Sequence, residues 1–228
     1  TAKQLRQLLE SAIKYKNGED FSKLFLPDTK GDFIVDMLRP YAVGCSEFAT
    51  EKEGLVARKE HLKNIDEILS ETDLITITLG LTECWVHKPT RLALPLAPGV
   101  MGGIYDPKLY EFVNYTYNEV YEDLYHSLNI LRQFKKSMRF LFTISPVSLA
   151  ATYEKEDVFI ATTYSKSVLR AVVGEIVKLE PEAFYFPSYE VINHPLLRHM
   201  TFTEDMRNIS SFGVKVAMKY FQKNFMAT

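Results

Sequence analysis

The sequence predicts an α/β fold built around a mainly parallel sheet, because strand and helix patterns alternate along it. Apolar β-type runs at residues 74–79, 139–143 and 184–186 alternate with helical patterns along the chain. Strands that alternate with helices form βαβ units, whose strands are parallel. The 228 residues suffice for one sizeable core and are few for two, so we expect a single domain over residues 1–228.

The first third of the chain is predicted to contain two helices. Apolar residues from Leu5 to Ile13 recur at helical spacing, and Lys16-Asn17-Gly18 ends that helix. A short strand at residues 33–35 and a loop at residues 44–49 follow. The second helix is indicated by an apolar stripe that leads into the strand at residues 74–79. The stripe consists of Leu55, Leu62, Ile65, Ile68 and Leu69.

The rest of the chain continues the alternation. Residues 80–105 are rich in proline and glycine, which predicts a long loop with room for a short hairpin. Asp106-Pro107 is typical of a helix start, and the helix is expected to end at Lys135-Lys136. After the strand at residues 139–143, the apolar positions between Val168 and Val177 predict a helix. A last helix is predicted over residues 209–221.

The charge and the cysteine content of the chain argue against several classes of binding partner. The net charge is -2 and the basic residues are dispersed, so we expect no nucleic acid and no anionic membrane as a partner. No apolar run is long enough for a membrane span. Two cysteines, Cys45 and Cys84, make neither a disulfide framework nor a zinc site. They favour a reducing compartment such as the cytoplasm, although the sequence does not fix a location. We expect no metal and no cofactor.

Short polar residues follow the predicted strands. The ends of parallel strands meet at one edge of a sheet, where ligands bind. Such side chains suit a polar, oxygen-rich ligand such as a sugar or an acyl sugar. The alternative is that each residue caps a helix or forms a turn. The candidates are Gly80, Thr82 and Glu83, then Ser145, then Ser188 and Glu190, and Asp205 one loop later.

Asp205, Asn208 and Gly213 form a second pattern, just before the last helix. Members of the SGNH hydrolase superfamily have an aspartate there, then a histidine three residues later, then a glycine. The aspartate orients the histidine, which deprotonates a serine. Asn208 stands in the place of the histidine and cannot act as that base. The histidines nearest in sequence, His194 and His199, are more typical of structural residues.

Several separated segments together resemble the GSCFA-domain family, an SGNH-like group. The longest lie at residues 164–170 and 185–190, and nearly the whole chain is covered. The matching segments are residues 33–40, 78–85, 98–99, 112–114, 143–147, 161–170, 185–190 and 204–205.

The resemblance implies a flavodoxin-like, three-layer α/β/α sandwich and a site for ester hydrolysis or acyl transfer. It also implies that the nucleophilic serine lies upstream of the segment resembling residues 1–9, so we expect this domain to lack its nucleophile strand. Gly44-Cys45-Ser46-Glu47-Phe48-Ala49 imitates the family's serine motif but lies in a connection. Asp205 is expected to orient or replace the base, and the Gly80 backbone to stabilise an oxyanion.

Other residues receive supporting roles. Glu83 and Glu190 are expected to organise the pocket. Arg170 and Arg207 are expected to hold a carboxylate, either that of Asp205 or an acid of the substrate. Trp85 is expected to stack on a sugar ring or to pack in the core. Asn114 falls in a matching segment and is assigned to substrate binding. We expect Thr163 or Ser165 to cap a helix, and Lys166 to lie at its exposed start, unsuited to act as a base.

Two functions from different classes remain open. The first is an esterase or O-acyltransferase acting on a small-molecule or glycan ester. The second is a non-catalytic module, derived from such an enzyme, that binds glycans or acts as a scaffold. Asn208 and the expected loss of the nucleophile strand favour the second. An oligomer that supplies the lost strand is a further possibility, because a sheet without a central strand exposes its edges.

Overall fold

A computed structural model describes residues 1–40 and 47–226, and the chain divides into two compact units. The first unit consists of Thr1–Asp73 and Glu83–Met138, and the second of Leu74–Thr82 and Arg139–Thr228. Both contain helices and strands, so the predicted α/β class is confirmed. The single domain stays a prediction. Gly44, Cys45 and Ser46 of the imitated serine motif lie outside the described residues.

The elements alternate between helices and short strands along the chain. In order they are α1 (Ala2–Lys16), β1 (Phe25–Pro27), β2 (Ile34–Asp36), β3 (Glu47–Phe48), α2 (Glu51–Glu71), β4 (Leu74–Leu79), β5 (Glu83–His87), β6 (Leu92–Leu94), β7 (Tyr110–Asn114), α3 (Tyr117–Phe134), β8 (Arg139–Ile144), α4 (Val158–Leu179), β9 (Ala183–Tyr185), α5 (Ser188–Ile192), α6 (Arg198–Thr201) and α7 (Ser211–Phe225).

The first unit joins α1, α2 and α3 to two antiparallel sheets. The sheets have the strand orders β1-β2-β3 and β6-β5-β7. Helix α1 packs against both α2 and α3, and Ala12, Phe21 and Leu62 are the buried centre of one apolar cluster. The stripe predicted for α2 is wrong at Ile68, which is 64% exposed.

The chain between β4 and α3 departs most from the sequence prediction. Residues 80–105 contain β5 and β6, which pair as a hairpin inside the expected loop. Helix α3 does not begin at Asp106-Pro107, because that pair forms a turn before β7 and Thr116 caps the helix in a capping box with Glu119. In the segment expected to be a loop at residues 44–49, β3 pairs with β2.

The second unit contains the parallel sheet, with the strand order β4-β8-β9. Phe140, Phe142 and Ile144 of β8 are fully buried in its core. Helix α4 contacts β8 and β9, while α5 contacts β8 and α7. Helices α6 and α7 also contact each other. The sequence predicted β4, β8 and β9 to within one residue of each end.

None of the helices in the described ranges combines the length and the apolar composition that crossing a bilayer requires. Helix α4 is the longest of them and contains an arginine and two lysines.

Candidate functional site

The carboxyl ends of the three parallel strands form a polar edge in the second unit. Ser145 follows β8, and its main-chain N–H donates a hydrogen bond to the carbonyl of Leu79 over 2.8 Å. Ser188 follows β9, and its hydroxyl lies 2.5 Å from that of Thr143 and 3.0 Å from the carbonyl oxygen of Ile144. Hydrogen bonds therefore hold the residues after neighbouring strands together, as the parallel sheet predicts.

The residues after β4 are tied to helix α4. Thr82 is fully buried, and its N–H donates to the hydroxyl oxygen of Ser165 over 3.2 Å. The hydroxyl groups of Thr82 and Ser165 lie 2.8 Å apart. The sequence assigned Thr82 to substrate binding, and that role stays a prediction. What the geometry adds is that Thr82 anchors the chain after β4 to the helix.

Lys166 is the strongest feature that the sequence analysis set aside. Its side chain is 2% exposed, and Nζ donates to the carbonyl oxygen of Gly80 over 2.6 Å. No carboxylate oxygen among the described residues lies within 4.0 Å of this nitrogen. Desolvation by burial lowers the pKa of Lys166 from 10.5 to about 8. The Lys166 ammonium therefore loses its proton at a lower pH than an ordinary lysine does.

The expectation that Lys166 lies at the exposed start of a helix is wrong. Helix α4 begins eight residues earlier, where the Asp157 carboxylate accepts a hydrogen bond from the N–H of Phe159. Capping by Thr163 or Ser165 is likewise corrected. The signal was present in the helical phase: Lys166 precedes the fully buried Leu169 by three residues and Val173 by seven, and so belongs to the buried stripe.

Asp205 organises a loop, residues 203–208, that we call the Asp205 loop. Its Oδ1 accepts from the Thr203 hydroxyl over 2.6 Å and from the N–H groups of Asn208 and Arg207 over 2.9 and 3.0 Å. Its Oδ2 accepts from the side-chain amide of Asn208. These donors, Thr203 first, hold the pKa of Asp205 far below its ordinary value. Such a carboxylate is a poor proton acceptor and a good orienting group.

The side chain of Asn208 is thus held by Asp205, at the position where members of the SGNH superfamily have a histidine. The aspartate contacts the side chain three residues later, but that side chain is an amide, which cannot take up a proton. The main-chain carbonyl of Asn208 accepts from the Thr203 N–H and closes the loop, and Met206 adopts a left-handed φ of 55° within it. The side chain of Arg207 is exposed on the same loop.

Glu190 lies on α5 and belongs to a contact with Arg170 and Tyr185. Arg170 Nε and the Tyr185 hydroxyl each donate to a different carboxylate oxygen of Glu190, both over 2.7 Å. The Arg170 guanidinium also lies 4.2 Å from the centre of the Tyr185 ring. Burial, then Glu190, raises the pKa of Tyr185. Arg170 therefore holds the carboxylate of Glu190, whereas the sequence predicted Asp205 or an acid of the substrate as its partner.

The first unit contains Glu83, Trp85 and Asn114. Glu83 does not lie in a loop, because it begins β5, and it is buried directly opposite Asn114 of β7. Trp85 packs edge-on against Tyr105 and Phe112, with ring centres 5.5 and 5.8 Å away. This packing matches the core alternative weighed for Trp85. The substrate contacts assigned to Trp85 and Asn114, and the catalytic, pocket-organising role assigned to Glu83, stay predictions.

The predicted site residues of the second unit thus form separate hydrogen-bonded groups. In the second unit, hydrogen bonds join Gly80, Thr82 and Ser145 to the strand ends and α4, while Asp205 and Asn208 bond within their own loop. The described residues contain no cluster of three or more His, Cys, Asp or Glu side chains arranged to hold a metal ion.

Comparison with known proteins gives one positive result. No curated protein and no solved structure matches the chain. The model of the GSCFA family matches residues 1–221, which confirms the resemblance seen in the sequence. Since this match spans the strand ends of the parallel sheet, α4 and the Asp205 loop, the chain belongs to the GSCFA family.

Proposed function

We propose that this protein is an SGNH-like ester hydrolase or acyltransferase that acts on a polar ester, with a carbohydrate as the alcohol or the acceptor. The observation behind the proposal is the polar edge of the parallel sheet, where Gly80, Ser145 and Ser188 follow three adjacent strands. This edge is the usual place for a ligand in an open parallel sheet. Membership of the GSCFA family agrees with it.

We further propose that β4, β8 and β9 belong to a flavodoxin-like, three-layer α/β/α sandwich. The parallel pairing of the three strands and the packing of α4 and α5 against them support this arrangement. In such a sandwich the polar edge is a crevice that can admit a sugar hydroxyl and an acyl group together.

The proposed chemistry needs a group that stabilises the oxyanion, a group that orients the substrate, and a base. The Gly80 backbone, directly after β4, is proposed to stabilise the oxyanion that forms when the ester carbonyl is attacked. Asp205 orients the amide of Asn208, which can donate a hydrogen bond to the substrate. Glu190, on α5, is proposed to organise the pocket at this edge.

The test is hydrolysis of acetylated monosaccharides and 4-nitrophenyl acetate by the purified protein, followed by labelling with a fluorophosphonate. Turnover that exceeds the buffer rate supports the proposal, and a labelled serine found by mass spectrometry identifies the nucleophile. Asn208→His is the matched variant. It places an imidazole beside Asp205, so kcat/KM should rise and gain a new dependence on a pKa near 6.5. Absence of turnover in both proteins contradicts the proposal.

The second candidate is a glycan-binding module derived from such an enzyme. Asn208 favours it, because an oriented amide binds hydroxyl groups well and performs no proton transfer. Calorimetry with oligosaccharides distinguishes the two candidates. Heat of binding without turnover of the acetylated form supports the module. Turnover that is lost in Asp205→Asn supports the enzyme.

A further inference from the structure

We propose that Lys166 is the proton acceptor of the site, in the role that Asn208 cannot fill. This inference rests on the proposed acyl-transfer function. Asp205 and Asn208 retain the spacing and contact of an orienting pair, yet neither suits proton uptake. The base must therefore be another group, and Lys166 contacts the residue that directly follows the first parallel strand.

The surroundings of Lys166 favour the neutral amine. Ammonium groups are strongly hydrated, and burial without a counter-ion penalises the charged form. Only the Gly80 carbonyl is shown to accept a hydrogen bond from Nζ, and no charged side chain of α4, β4 or β8 acts on the pKa of Lys166 in the described ranges. A lysine desolvated in this way is a recognised form of general base.

A purely structural explanation accounts less well for this residue. A lysine that only fills space on α4 could be replaced by the leucine or valine found at the neighbouring buried positions 169, 172 and 173. Those residues need no hydrogen-bond acceptor and suffer no loss of hydration. The ammonium instead points at the chain segment after β4, which also contains the anchored Thr82.

The proposed step conserves atoms and charge. The neutral ε-amine accepts the proton of the attacking hydroxyl, which belongs first to the nucleophilic serine and then to water in hydrolysis or to a sugar alcohol in transfer, while the new C–O bond forms at the ester carbonyl carbon. The tetrahedral intermediate then collapses, its bond to the leaving alcohol breaks, and the ε-ammonium returns the proton to that alkoxide. Lysine is neutral again, and the products are an alcohol and either an acid or a new ester.

The experiment compares the full chain with Lys166→Met, Lys166→Ala and Lys178→Met. Lys178 lies near the end of α4, so its variant is the control for loss of a lysine from that helix. For the unaltered protein, kcat/KM should rise with pH and level off above about 8. Lys166→Met should lower kcat/KM by roughly 10²–10⁴-fold with folding intact by circular dichroism, and Lys178→Met should leave it unchanged.

Two further measurements, rescue of activity by an added amine and chemical labelling of Lys166, would not respond if Lys166 had only a structural role. Ethylamine should restore part of the activity of Lys166→Ala, in proportion to the concentration of its free base. Competitive labelling with acetic anhydride, followed by mass spectrometry, should show Lys166 gaining reactivity near pH 8.

The outcomes separate this inference from the proposed function. Full activity in Lys166→Met, or a Lys166 that takes up no label at any pH, overturns the role of Lys166 and leaves the esterase proposal standing. Titration of Lys166 near 10.5 overturns it as well. If the unaltered protein turns over no ester, the proposed function fails, and the assignment of Lys166 as its base fails with it, whatever the labelling shows.

Discussion

Arg58 in the first unit and Lys166 in the second are both cations at 2% exposure, but their surroundings differ. Arg58 Nη1 lies 3.3 Å from a carboxylate oxygen of Asp36, which is 4% exposed. Lys166 has a carbonyl oxygen in place of a carboxylate. A paired buried charge connects elements of the fold, here α2 and β2, whereas a buried charge without a counter-ion lowers stability and calls for a functional reason.

The largest expected effect tests the paired cation. Arg58→Met leaves the buried Asp36 carboxylate without its paired guanidinium, so the free energy of unfolding should fall by about 3–5 kcal/mol. The double variant Arg58→Met/Asp36→Leu removes both charges and should recover most of that loss. Urea unfolding measures both. If the double variant is less stable than the single one, the pair is not the structural connection described above.

Lys166→Met should act in the opposite direction. Because its folded pKa of about 8 lies below the ordinary 10.5, the unfolded chain binds more protons between these pH values. The stability of the unaltered protein therefore rises as the pH increases through that window. At pH 6.5 the variant should be more stable by about 1–3 kcal/mol, and this gain should vanish by pH 10.5. Urea unfolding at several pH values measures the difference, and a variant less stable at pH 6.5 would contradict the comparison.

A smaller effect is expected at His61, which reports on Arg58. Burial first, and then the positive charges of Arg39 and Arg58, lower the pKa of His61 to about 4. Removing Arg58 in the double variant should raise that pKa, whereas Lys166→Met should leave it unchanged. Proton NMR titration of the imidazole gives the value. Equal shifts in both variants would mean that a general loosening, and not the local charge, sets the pKa.

The smallest effect concerns Gly80, which supplies the carbonyl partner of Lys166. A Cβ at this position would meet no heavy atom within 4 Å, and the carbonyl remains in Gly80→Ala. The free energy of unfolding should therefore change by less than about 0.5 kcal/mol, measured with urea. A fall in kcat/KM at unchanged stability would indicate that a substrate approaches the backbone here. A large destabilisation would contradict the open space around Gly80.

The sequence predicted best where one pattern determines one element. The β-type runs of β4 and β8 lie between helical patterns, and strands that alternate with helices pair in parallel. It allowed β5 and β6 only as a short hairpin without bounds, and it missed β7, which it took for the first turns of a helix. Short antiparallel strands separated by proline and glycine resemble a loop locally and are fixed by pairing with distant residues. Lys166 was missed because α4 was taken to begin too late. The sequence pattern alone also does not give the desolvation that lowers the pKa of Lys166.

The three residues after β4 are fastened to α4 at both ends, through the Gly80 carbonyl and through Thr82. These hydrogen bonds connect the end of β4 to α4, so any displacement of α4 moves this segment with it. The amide proton of Thr82 should consequently exchange with deuterium as slowly as those in the middle of the helix, in contrast to the amides of an ordinary surface turn.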